Sequence, residues 1–94
     1  MSAGNWQSAD GQVWATLTFP SDDQCDILQF EAYHQEHGDC RRALKKLRPQ
    51  YRVIRVIGVG HESSESYGFW LRMASAGLVD VLMDDDQRMI WSRP

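Results

Sequence analysis

Ninety-four residues, 43% hydrophobic and 24% charged, suit one globular domain with a single core. They exclude wholesale disorder and large multidomain enzyme architectures. The formal net charge of −3 speaks against a general nucleic-acid binder, which needs a cationic excess to displace counterions.

Residues 1–10 (MSAGNWQSAD) are small and polar without periodicity, which predicts a flexible arm tethered at most by Trp6. A single domain is then expected over 11–94. Residues 12–19 alternate Val13, Ala15, Leu17 and Phe19 against Gln12, Trp14, Thr16 and Thr18, the period of a strand, which Pro20 ends. Ser21-Asp22-Asp23 has the composition of a helix N-cap with acids in the first turn. From 23 to 47 the spacing predicts helix, with Ile27, Phe30 and His34 on one stripe, Leu28 beside it, and a break at Gly38. Asp39 then caps a second helix whose stripe is Cys40, Ala43, Leu44 and Leu47, and Pro49 stops it.

Residues 51–59 carry Tyr51, Val53, Ile57 and Val59 on one face and Ile54, Val56 and Gly58 on the other. That pattern predicts a central strand covered on both sides. Residues 67–76 fit a helix with Tyr67, Trp70, Leu71 and Ala74 on one face, or a strand alternating Tyr67, Phe69, Leu71 and Met73. The ending Ala74-Ser75-Ala76-Gly77 favours the helix. Residues 79–83 and 88–91 predict a hairpin across Asp84-Asp85-Asp86-Gln87. The sum is an α+β fold: a mostly antiparallel sheet, one or two helices packed on it and a C-terminal β-hairpin, with a winged-helix-like arrangement as the alternative.

No apolar run approaches the roughly 20 residues of a membrane-spanning helix. Residues 1–24 hold no Lys or Arg and no continuous apolar stretch, so no secretory signal is visible and a cytoplasmic location is expected. Cys25 and Cys40 are accordingly expected as reduced thiols.

Charge is segregated along the chain. Residues 1–40 hold seven acids and no Lys or Arg, whereas 41–55 hold seven bases and no acid. The bases are Arg41, Arg42, Lys45, Lys46, Arg48, Arg52 and Arg55, and they define a candidate binding face. Such a face suits an acidic protein surface, or phosphates with Tyr51 stacking on a base. A solvated helix balanced by the acidic first forty residues accounts for the same pattern. Four tryptophans are many for this length, and Trp6 and Trp14 fall where exposure, and so a binding role, is expected.

Cys25, His34, His37 and Cys40 are spaced C-x8-H-x2-H-x2-C and are the densest cluster of candidate metal ligands. Zinc needs four such donors converging on one point, and the Cys-x-x-Cys pairs of zinc knuckles are absent. Surface histidines and packed thiols are the favoured explanation of these residues, and no cofactor is expected. A nucleophilic Cys40 would need His37 or His61 beside it and a pKa lowered by Arg41 and Arg42, yet Cys40 falls on an apolar stripe.

Two resemblances are formal. Arg55-Val56-Ile57-Gly58-Val59-Gly60 is similar to the R-x-x-G-x-G loop with which N-acetyltransferases hold the pyrophosphate of acyl-CoA. In the chain's last third, Arg72 through Val79 followed by Asp84-Asp85-Asp86-Gln87-Arg88 resembles the recognition helix and wing of winged-helix regulators of the multiple-antibiotic-resistance type. That resemblance implies nucleic-acid contacts from Arg72 and Arg88, although the wing tip is triply acidic. The leading expectation is a small protein–protein interaction module, an accessory or inhibitory factor or a homo-oligomer. The alternative is a winged-helix-like nucleic-acid binder, and a metal- or thiol-dependent enzyme is third.

Overall fold

The computed structural model describes residues 2–8, 11–32, 38–60 and 65–93. Period-two patterning sets the first well-buried element. In β2 (Val13–Ser21), Val13, Ala15 and Leu17 are each at most 2% exposed, and the pleat turns Trp14, Thr16 and Thr18 to the opposite face. Pro20 lies inside this strand near its end instead of ahead of it.

Residues read as an arm form β1 (Ser2–Gln7), antiparallel to β2 from Ser2↔Phe19 to Gln7↔Trp14. A ladder is built from backbone groups, so an edge strand of small polar residues needs no apolar period of its own. Trp6 anchors it, its ring stacked on Phe30 with centroids 6.3 Å apart.

The largest correction falls on β3 (Gln24–Ala32), which the spacing had suggested as helix. Ser21-Asp22-Asp23 is the turn of a hairpin and not an N-cap: Ser21 pairs with Gln24, and its hydroxyl donates to Asp23 Oδ1 at 2.9 Å. A bulge imitates the helical period. Leu17 pairs with Ile27 but Thr16 with Gln29, which leaves Leu28 as the extra residue. Ile27 and Phe30, three apart in sequence, therefore share the core face of a strand. Leu28 is turned out and is 45% exposed.

Two crossover helices follow. In α1 (Asp39–Leu47), Ala43, Leu44 and Leu47 are buried, as the stripe predicts. Its N-cap is Gly38, with φ +70°, and Asp39 is the first helical residue, ion-paired to Arg42. Pro49 sits in a 3-10 turn over Arg48–Gln50 that extends the helix before the chain enters β4 (Val53–Ile57). The ambiguous 67–76 segment is helix, α2 (Glu65–Ser75), ending at Gly77 with φ +79°. The hairpin is β5 (Val81–Met83) and β6 (Met89–Ser92).

Among the described residues, six strands form one sheet in the order β1-β2-β3-β4-β5-β6. The β1–β2, β2–β3 and β5–β6 pairs are antiparallel, and β3–β4 and β4–β5 are parallel. Both helices contribute to one core with the inward sheet residues: Leu44, Leu47, Trp70 and Met73 meet Leu17, Ile27, Ile54 and Leu82. The result is two layers, 22 Å in the shortest dimension. β4 is central but covered by helices on one face only, against the expectation of two. The winged-helix alternative fails here too, because the segment where its first helices belong is this strand.

Asp80 locks the seam between β4 and β5. Its backbone N–H donates to Ile54 O at 2.8 Å, and its carboxylate accepts the Ile54 N–H at 2.8 Å. The same carboxylate takes two N–H groups of Arg48 and the Arg93 guanidinium, while its carbonyl accepts the Arg93 N–H at 2.9 Å. Burial alone would raise the Asp80 pKa, but the Arg48 and Ile54 hydrogen bonds and the Arg48 and Arg93 charges hold it below the ordinary 3.8. Its stabilising contribution is complete above that ordinary value and disappears as pH falls through the lower folded value. Asp80→Asn should cost about 2–3 kcal/mol in urea denaturation at pH 7. It should also flatten the acid limb of the stability curve; an unaltered acid limb would contradict this assignment.

Candidate functional site

The basic block does not form one surface. Arg48 is held by Asp80, and Arg52 by Asp23 through Nε and Oδ2 at 2.8 Å. Arg55 is held by Asp26 in a two-toothed pair whose Nε–Oδ1 distance is 2.7 Å. Asp26 and Arg55 are register partners across the parallel β3–β4 seam, and Asp26 is only 4% exposed. Arg52 lowers the Asp23 pKa by its hydrogen bond, with Ser21 assisting. Arg42 is paired to Asp39. Among the described residues Arg41, Lys45 and Lys46 make no ion pair, and all three are exposed on the outer side of α1. Three of the seven cations, Arg48, Arg52 and Arg55, are thus met by acids from elsewhere in the sequence, and Arg42 by Asp39 within the same helix.

The aromatic candidates divide in the same way. Trp6 is half-buried against Phe30, part of the packing around the core. Trp14 is half-buried on the sheet face that carries no helix, opposite Gln7 and Glu31. That face continues across Val53, Arg55 and Ile57 of β4 to Val81 and Met83 of β5, all half-buried, and to Met89, 64% exposed.

His34, His37 and His61 lie outside the described residues. Cys25 is fully buried on the core face of β3, and its thiol is pushed up to about 12 by burial, with the Asp26 charge adding to the shift. Burial also raises the Cys40 thiol, so Arg41 and Arg42 do not make it a thiolate. Both cysteines are free. Arg72 lies on the exposed side of α2, and Arg88 is in the β5–β6 turn, its N–H donating to Asp84 Oδ1 at 2.8 Å. In the R-x-x-G-x-G stretch, Gly58 and Val59 both donate their N–H groups to Met83 O, at 3.0 and 3.1 Å. Those donors are not free to cradle a phosphate, and Arg55 is engaged with Asp26.

A feature outside the expected residues lies one strand away. β3 and β4 pair over only four registers, Gln24↔Val53 to Ile27↔Val56. β4 ends at Ile57, while β3 runs on to Ala32 with β2 on its other side. Among the described residues, 28–32 have no strand partner toward β4, so the pairing of the parallel seam ends in a wedge at Ile27↔Val56. It lies toward the carboxyl ends of β3 and β4, the end at which α1 and α2 begin. Phe30 lies on its helix-side wall, meeting Trp70 edge-to-face at 5.7 Å. The signal in the sequence was the length mismatch between two adjacent strands, hidden because one of them had the spacing of a helix.

The chain matches no protein-family model, no curated protein and no solved structure.

The burial of Cys25 has a direct readout. Iodoacetamide at pH 8 should leave it unlabelled in the native protein and alkylate it fully in guanidinium, as followed by peptide mass spectrometry. Native labelling at the rate of a free thiol would refute its placement in the core.

Proposed function

We propose that the chain is a small-ligand binding domain whose site is the wedge between β3 and β4. The carrying observation is the unpartnered stretch of β3 over residues 28–32 beside a parallel seam that closes at Ile27↔Val56. Exposed strand backbone is complementary to an extended chain of amide groups, by the same geometry that adds a peptide strand to a sheet edge. The arm of an acyl-CoA is such a chain, and the formal likeness of Arg55 to Gly60 to an acyl-CoA loop adds nothing to this. What supports acyl-CoA is the wedge and not that loop, whose donors are engaged. Asp39 at the start of α1 disfavours a phosphate there, so the amide arm is the recognised part. Burial raises both the Cys25 and Cys40 thiols, which speaks against either as a nucleophile.

Titration with acetyl-CoA should quench tryptophan fluorescence saturably, because Trp70 borders the wedge through Phe30. Leu28→Glu, at the exposed bulge beside the last paired register, should weaken that response at least tenfold without loss of folding. Absence of any saturable response in the wild type would end the proposal.

A second reading rests on the sheet face that carries no helix. Ile57, Val81, Met83 and exposed Met89 give that face an apolar end, with Val53 beyond the Arg55–Asp26 pair, which suits protein association, including association with a second copy. Sedimentation velocity should then show a dimer that Met89→Glu converts to monomer; a wild-type monomer at 100-fold varied concentrations would exclude the self-associating form.

A further inference from the structure

We infer that the outward face of α1 is a docking surface for an acidic polypeptide. Once the internal ion pairs are set aside, Arg41, Lys45 and Lys46 remain as exposed cations clustered on one short helix, beside the Arg42 guanidinium, 59% exposed and paired to Asp39. Arg41 and Lys45 stand four residues apart, as do Arg42 and Lys46, and like charges at that spacing weaken a helix. α1 has only nine residues, too few to be stable alone, and it is held by Ala43, Leu44 and Leu47 on its buried face. Lys45 and Lys46 complement the carboxyl-terminal dipole, but nothing comparable offsets Arg41 against Lys45. The arrangement opposes the stability of its own helix, and an anionic partner relieves that repulsion.

The chemistry favours carboxylates over nucleic acid. No aromatic side chain lies in α1, so bases have nothing there to stack on. A long phosphate backbone would also meet the surplus acids that leave the chain at −3. Four helical residues rise about 6 Å, close to the roughly 6.7 Å between alternate side chains of an extended strand. An acidic segment with Asp or Glu at every second position therefore matches the Arg41–Lys45 spacing.

The test is a titration of the full chain with poly-L-glutamate and, in parallel, with an oligothymidylate of equal charge. Poly-L-glutamate should bind saturably at low salt, weaken steeply as salt rises, and bind at least tenfold more weakly to Lys45→Glu/Lys46→Glu. The same variant should still fold and melt within about 5 °C of the wild type, because relief of the i,i+4 repulsion offsets the acids placed at the negative end of the helix dipole. Lys45→Gln/Lys46→Gln provides a second variant in which only positive charge is lost. No binding of poly-L-glutamate, tighter binding of the oligonucleotide, or unchanged affinity in both variants would overturn the inference. The inference is independent of the wedge: Leu28→Glu should leave poly-L-glutamate binding intact.

Discussion

A single carboxylate, that of Asp80, fixes four separate parts of the chain to one another. It is tied to the 3-10 turn through Arg48, to β4 through Ile54, to β5 by direct continuity and to the carboxyl-terminal end through Arg93. The reason such a node is needed lies in the sheet. Its two parallel pairings are short, four registers between β3 and β4 and three between β4 and β5, and they join strands whose connections run through helices. Short parallel ladders offer few hydrogen bonds, so side chains complete them. Asp80 does this at one seam, and the Asp26–Arg55 pair does it at the other. Both acids are removed from water and both are met by arginine, the cation whose planar fork suits a carboxylate.

That requirement also explains the distribution of charge. The acidic and basic blocks separate along the sequence, yet fold against each other at a span of 29 residues, and Asp80, beyond both, reaches back 32 residues to Arg48. Arg48, Arg52 and Arg55 belong to the architecture, and the cations left outward belong to α1. A count of charge by segment therefore overstates the free positive surface and misplaces part of it.

Elements whose pattern stays regular could be read from the chain directly. The alternation of Val13, Ala15 and Leu17 gave β2, and the Ala43, Leu44, Leu47 stripe gave α1, because nothing interrupts either period. Elements with an interrupted or missing period could not. A single extra residue at Leu28 shifts β3 from a spacing of two to a spacing of three, which is the local signature of a helix. β1 has no period because an edge strand of Ser, Ala, Gly and Asn is specified by its partner β2. The candidate site was illegible for the same cause: the wedge is a relation between the ends of two strands, and one of those strands had been lost to the bulge. No residue type marks it, since its working groups are main-chain amides.

The sheet's order has a consequence for how the molecule forms. Each strand lies beside the one that precedes it in the chain, without exception. No strand must wait for a distant segment to be inserted between neighbours, so pairings close over short loops or one helix at a time. The sheet can assemble outward from its first hairpin in the direction of synthesis, each new strand finding a template already in place. The Arg55–Asp26 and Arg48–Asp80 pairs then seal seams that topology has already brought together.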